Sequence, residues 1–330
     1  MNKFIYRTFL FSLIPLIIIL SLDFFARNQS SLYKEKHEGA LKNKDFIEII
    51  ILGNSHAHTG VDPRGFDLFT YNLANVAQSL YFDKRITLSL LPHLKKLKYV
   101  FISIDYHSLY SSSQGIRDIW SYYAHGVKHN RYDESKYLLA DISPTLFGYT
   151  PKVVLSFLKK KIVNRLKYGK DVIDFDVGTG VNIKDTIVNG FISFDGHRKS
   201  VFTPERYKKR IHAFDEGIQT SDEKDEVLED LNDFLEILLN NNITPILFTA
   251  PTYREYNKYL EESVVNNNER EIVKLCEKYN IKYLNFMNSD LFEKEDFYNA
   301  DHLNKQGAKK LAKIMNSFII DIENRSSKLQ

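Results

Sequence analysis

The chain has a single cysteine, Cys276, so no intramolecular disulfide can form and a metal site built on several thiolates is excluded. Cys276 falls in REIVKLCEKYNI, on the apolar side of an expected helix, and reads as a core residue. Neither charge is in excess. The 45 basic and 42 acidic residues leave a net charge of +3, and no basic stripe is interleaved with aromatics, which removes the electrostatic case for nucleic acid. There are no internal repeats and no long low-complexity tracts. Tryptophan occurs once, but 23 Phe and 20 Tyr give ample material for packing, with a few tyrosines to spare for a carbohydrate-facing groove. The apolar fraction of 43% in 330 residues supports one large domain or two small ones.

The one long hydrophobic run is at the start. MNKFIYRTFLFSLIPLIIILSLDFFARNQ carries Lys3 and Arg7, then an uncharged stretch from Thr8 to Leu22. With its flanking aromatics it approaches the ~20 residues that span a bilayer. A buried helix should show a polar stripe, and this run has none. It also lacks the small residues of a cleavage site. Residues 1–27 therefore read as an uncleaved signal anchor, 28–44 as a polar linker, and 45–325 as an extracytoplasmic domain.

Past the linker, apolar runs alternate with helical spacing. DFIEIIIL (45–52), TYNLA (70–74), KYVFISID (98–105), ITPILFTAP (243–251) and IKYLNF (281–286) read as strands. Helices are expected over 77–97, 222–242, 268–280 and 304–324. This alternation predicts an α/β fold, a parallel sheet with helices on both faces. Residues 106–200 interrupt it and read as an insertion within the domain, a candidate substrate lid or partner surface. It includes VGTGVNIKD and a Lys-rich helix (159–170) that faces solvent, an anionic polymer or lipid headgroups.

In such sheets ligands bind at the carboxyl ends of the strands. Ser55, Asp105, Pro251 and the segment after Phe286 all fall there. In IIILGNSHAHTGVDP a buried strand runs into Gly53-Asn54-Ser55. Ser55 is either a helix N-cap or a nucleophile, and a nucleophilic serine needs a histidine base from elsewhere in the chain. DFYNADHLNKQGAKKLA (296–312) offers His302 in a polar turn before the last helix, with Asp301 beside it and Asn299 three residues earlier. His56 and His58 would share a face if their segment were extended, as metal ligands or as turn and surface residues; no third ligand lies nearby in sequence. Asp105 and His107 are substrate-binding or structural at their strand end.

GNSHAHTGVDP and FYNADHLNKQGA, in this order and with TPILFTAPTYREY between them, resemble the SGNH (GDSL-type) hydrolase superfamily. The likeness is to its membrane-anchored members that act on cell-envelope polymers, the DltD-type and alginate O-acetylation-type proteins. It covers roughly residues 45–105 and 222–322 and leaves the insertion uncovered. The resemblance implies a three-layer, flavodoxin-like sheet, Ser55 as nucleophile and His302 as base. Asn299 stands where the family has an aspartate, so the imidazole is oriented either by Asp301 or by the Asn299 amide. The distinction has weight, because Asp→Asn at this place in a serine protease lowers turnover about 10⁴-fold. The oxyanion hole would use the Ser55 N–H. Family blocks that add donors are altered here: NLANVAQS (72–79) has no glycine, leaving Asn75 and Gln78, and Asp105 replaces an asparagine. Asn54 completes the oxyanion and substrate-binding candidates.

By that resemblance the chain forms an acyl-enzyme without metal or organic cofactor and passes the acyl group to water or to a cell-surface glycan or teichoic-acid-like polymer. A membrane-bound O-acyltransferase would be its partner. The two altered positions, Asn299 and Asp105, keep a second class of function in play: a catalytically silent scaffold or polymer-binding protein.

Overall fold

The computed structural model describes residues 2–28, 31–169, 187–194, 196 and 202–327. VGTGVNIKD, part of the expected insertion, lies outside them. In chain order the elements begin with helix α1 (Asn2–Arg27), α2 (Leu32–Lys42), β1 (Ile49–Leu52), α3 (Ser55–Gly60), β2 (Thr70–Asn72), α4 (Leu80–Leu90) and β3 (Tyr99–Ser103). Helices α5 (Arg117–His125), α6 (Glu134–Ile142), α7 (Pro151–Tyr168), α8 (Pro204–Thr220) and α9 (Lys224–Asn240) follow. The chain then forms β4 (Thr244–Thr249), α10 (Arg254–Asn257), α11 (Glu262–Tyr279), β5 (Lys282–Asn285), β6 (Phe297–Asn299), β7 (His302–Leu303) and α12 (Lys305–Ser327).

The chain divides into two compact units, Met1–Glu35 with Gly115–Thr179, and Lys36–Gln114 with Gly180–Gln330. The second holds the sheet. Its strands are all parallel, in the order β2-β1-β3-β4-β5, with Ile51 opposite Phe101 and Phe101 opposite Ile246. This is the doubly wound, flavodoxin-like order and a three-layer α/β fold. Its central strands are short apolar runs because both faces are covered. All four residues of β1 and all five of β3 are buried, and each such Ile or Phe contributes about 1.5–3 kcal/mol. Ile49, Ile51, Phe101, Ile246 and Phe248 pack on one face against Leu311, Met315 and Ile319 of α12. Helix α9, the amphipathic segment read over 222–242, packs with α4 and α11 and lies on β4.

The other unit is helical. Ala26, Tyr33, Trp120, Tyr137, Val154 and Phe157 meet in its core. Helix α1 is long and apolar enough to cross a membrane. Its last turn is fastened to this unit: the Asp23 carboxylate accepts from Ser143 Oγ at 3.0 Å and Thr145 N at 2.9 Å, and the Arg27 guanidinium donates to the Asp141 and Ile142 carbonyls.

Two expectations are corrected. The segment 28–44 is not merely a linker, because Leu32–Lys42 is helical and buries Tyr33, Lys36 and Ala40. The apolar side chains at 32, 33 and 40 recur at helical spacing amid a polar composition, which hides them. The stretch read as an insertion over 106–200 is split. Gly115–Thr179 falls in a compact unit with the N-terminal helix, whereas the residues up to Gln114 and those from Gly180 belong to the sheet unit. Helix α8, within the unassigned stretch after 200, also returns to the sheet unit.

Chain reversal after β1 depends on Gly53. Its φ is +127°, and a Cβ there would lie 2.5 Å from the Ser103 Cβ on the neighbouring strand. Gly53→Ala should therefore lower stability by about 1–3 kcal/mol through strain and overlap. Urea denaturation of the full chain in detergent checks this, and an unchanged midpoint would show that the turn relaxes.

Candidate active site

The sheet order creates the site. The chain leaves β1 toward β2, then crosses back to place β3 on the other side of β1. At this switch point the carboxyl ends of β1 and β3 open a crevice, and they carry Ser55 and Asp105. Helix α3 begins at Ser55, N-capped by Asn54, whose Oδ1 accepts from His56 N at 2.9 Å. Asn72, at the end of β2, fixes the other end of α3: its Nδ2 donates to the Ala57 and Val61 carbonyls at 2.9 and 3.0 Å.

His302 arrives on the antiparallel pair β6–β7, where Asn299 and His302 are cross-strand partners and Asp301 lies in the turn between them. Its Nε2 is 2.9 Å from Ser55 Oγ. Its Nδ1 faces Asp301 Oδ1 at 2.9 Å and Asn299 Oδ1 at 3.1 Å. Asn299 Oδ1 also accepts from Asp301 N at 3.1 Å, so the amide shapes the turn that presents the carboxylate. With the proton on Nδ1, Nε2 offers its lone pair to the Ser55 hydroxyl.

Asp301 is shared. Arg210 Nε, from α8, donates to its Oδ2 at 2.8 Å, and His56 Nε2 stands 3.7 Å from the same oxygen. Burial alone would raise the Asp301 pKa, but His302, His56 and Arg210 outweigh it and hold the carboxylate well below its usual range. Burial lowers His302 from the ordinary histidine value against the opposing pull of Asp301, which favours the neutral base.

His56 is the second charge centre. Its Nδ1 is 3.2 Å from Asp105 Oδ1, and its ring stands 4.9 Å from that of His302, nearly perpendicular. Burial opposes its protonation, yet Asp105 and Asp301 raise its pKa to about 9. His107 behaves oppositely: burial and the neighbouring His56 push it down to about 4, and it stacks on Phe214 at 4.2 Å. Asn54 Nδ2 lies 3.5 Å from His107 Nε2.

Several expected roles change. Helix α3 is not extended, so His56 and His58 diverge instead of sharing a face. Neither is a surface residue; both are buried. His58 Nδ1 meets Lys36 Nζ at 3.0 Å, and burial lowers both pKa values well below their ordinary ranges. Asp105 faces His56 and accepts from Ser103 Oγ at 3.0 Å; it is not placed to stabilise an oxyanion. Asn75 Nδ2 donates to Leu73 O and Gln78 Oε1, and Gln78 Nε2 to Leu73 O and Asp83 Oδ1. Both amides thus spend their hydrogens within their own turn and on Asp83 of α4, and this geometry does not offer the donor role expected of them. At the start of α3 the Ser55 N–H has no carbonyl partner within the helix. Cys276 is half-buried on α11, with its thiol raised to about 11 by burial. His56, Asp301 and His302 present ligand-type atoms within 4.8 Å of one another. A cation there would compete with Arg210 and a protonated His56 for the same carboxylate.

Neither a protein-family model nor a curated protein matches this chain.

The His56 charge should appear in stability. Its folded pKa lies above the unfolded value of about 6.5, so its contribution is full below pH ~6.5 and is lost as pH rises through about 9. His56→Gln should cost about 3 kcal/mol at pH 6, and the gap to the parent should close by pH 10. Denaturation midpoints of both proteins across this range test it; a pH-independent gap would mean that His56 is neutral.

Proposed function

We propose that the protein is a serine acyltransferase or esterase of SGNH type, anchored by α1 and acting outside the cytoplasm on O-acyl groups of a cell-envelope polysaccharide. The observation that carries this reading is the line Ser55 Oγ–His302 Nε2 at 2.9 Å and His302 Nδ1–Asp301 Oδ1 at 2.9 Å, at the switch point of the sheet. A serine, a neutral imidazole and an ionised carboxylate in this order make an activated nucleophile.

In the proposed reaction Ser55 Oγ attacks the acyl carbonyl while His302 Nε2 takes the hydroxyl proton. Asp301 stabilises the resulting imidazolium and keeps its tautomer. The Ser55 N–H faces the developing oxyanion; such donors are worth about 3–4 kcal/mol each. Collapse breaks the bond to the donor oxygen, which leaves with the proton from His302, and the acyl group stays on Ser55. A glycan hydroxyl or water then attacks that ester, again giving its proton to His302; the acyl–Oγ bond breaks, Ser55 takes that proton back from His302, and the acylated glycan or free acid leaves. No step calls for a metal or an organic cofactor. The acceptor class, a surface glycan or teichoic-acid-like polymer, and the donor partner, a membrane-bound O-acyltransferase, come from the resemblance of the two terminal motifs. Asp301 supplies the carboxylate that Asn299 lacks, and Asp105 is committed to His56; these two placements weigh against the silent-scaffold reading.

Hydrolysis of p-nitrophenyl acetate by the full chain in detergent tests the roles. Ser55→Ala and His302→Ala should lose at least about 10³-fold in kcat, Asp301→Asn about 10²–10⁴-fold, and Asn299→Ala less than about tenfold. The rate should fall at acid pH, lower than the ordinary histidine range, where the burial-lowered His302 takes up a proton, and again near pH 9, where His56 loses one. Undiminished activity in Ser55→Ala, or a larger loss in Asn299→Ala than in Asp301→Asn, contradicts the assignment.

A further inference from the structure

Among the described residues of the unit that carries α1, large apolar side chains outside α1 itself are exposed. Ile142, Leu146 and Phe147, at and just beyond the end of α6, are 63, 43 and 45% exposed. On α7, Leu155, Ile162 and Leu166 are 52, 50 and 83% exposed. These three recur at spacings of seven and four residues and so share one helix face. The buried residues of α7, Val154 and Phe157, point elsewhere, into the core with Tyr137 and Trp120. The helix is amphipathic toward its own unit and carries a second apolar stripe away from it. Exposed Lys152, Lys159 and Arg165 flank that stripe, and α7 contains no acidic residue.

Where this surface lies relative to α1 is fixed by hydrogen bonds within the unit. Asp23 and Arg27 grip residues 141–145, the stretch that leads directly into Ile142, Leu146 and Phe147. The 25 residues of Lys3–Arg27 rise about 37 Å as a helix, against ~30 Å for a hydrocarbon core. The last turn of a spanning α1 therefore emerges at the headgroup level, and the exposed side chains beside it emerge at the same depth.

We propose that α6, the turn after it and α7 form a collar that lies in the membrane interface around the end of α1. Ile142, Leu146, Phe147 and the Leu155–Ile162–Leu166 stripe enter the acyl boundary, and Lys152, Lys159 and Arg165 contact anionic headgroups. The inference rests on α1 being a membrane span. Interfacial helices of this kind combine an apolar face with flanking Lys and Arg and favour anionic lipid. The Asp23 and Arg27 contacts also make the end of α1 part of the folded unit, so anchor and collar act as one piece.

The test uses the full chain with Cys276→Ala, reconstituted in vesicles of phosphatidylcholine and phosphatidylglycerol. Nitroxide labels are placed singly through Ile142→Cys, Leu166→Cys, Phe11→Cys in α1 and Glu229→Cys on the exposed side of α9. Collision with oxygen is compared with collision with a water-soluble nickel chelate. The labels at 142 and 166 should show an oxygen-to-nickel ratio several-fold above that at 229, approaching that at 11. Replacing Lys152, Lys159 and Arg165 together by Glu should lower the ratio at 166 and leave position 11 unchanged. Labels at 142 and 166 as wet as that at 229, with 11 in lipid, overturn the collar and leave the anchor standing. A wet label at 11 overturns both. Labels at 142 and 166 shielded from both reagents and broadened by spin–spin coupling show a second copy on this surface, which also overturns the collar.

Discussion

The site depends on one buried carboxylate. Asp301 is 4% exposed, and an isolated charge so placed would cost several kcal/mol. It stays ionised because three groups from three parts of the chain converge on it: His302 from the adjacent strand, Arg210 from α8 and His56 from α3. Remove that convergence and the cheapest response is protonation, after which Asp301 could no longer orient the imidazole or balance its charge. Arg210 and His56 thus act through the Asp301 carboxylate.

The same logic of paired burial extends beneath the serine. The carboxyl ends of β1, β2 and β3 lead into a layer of buried polar groups. Asn72 clamps α3, Asp105 balances His56, and Lys36 closes on His58 and the Ala74 carbonyl. Asp83 accepts from Gly53 N at 3.1 Å and Gln78 Nε2 at 2.6 Å, and burial lifts its pKa to about 7. Moving the turn after β1 would break the Gly53–Asp83 and Asn72–α3 hydrogen bonds and leave their buried groups unpaired, so these contacts hold the turn in place. A rigid turn is what a 2.9 Å approach between Ser55 and His302 requires.

Periodicity made the sheet readable. IIIL, YVFIS and PILFT are buried on both faces, and only a doubly covered strand tolerates such runs. Ser55 and His302 were legible because each follows a strand end or precedes a helix in a polar turn. The rest was not, because it depends on neighbours far away in sequence. His56 and His58 looked like turn residues; a six-residue helix buried between two strand ends cannot be seen in SHAHTG. Lys36 sits in a polar stretch, and nothing local says that its amine is buried against His58. Arg210 lies in PERYKKRIHAF among other basic residues, and only packing singles it out for Asp301. Asp301 against Asn299 could not be decided from spacing, since the turn between β6 and β7 brings both to Nδ1.

The most direct test of the central claim, an activated Ser55, is covalent. The full chain in detergent is treated with a fluorophosphonate, and the adduct is located by peptide mass spectrometry in parent, Ser55→Ala and His302→Ala proteins. A stoichiometric adduct on Ser55, absent from both variants, is the predicted result. A folded parent that leaves Ser55 unmodified, or labelling of Ser55 that persists in His302→Ala, would contradict it.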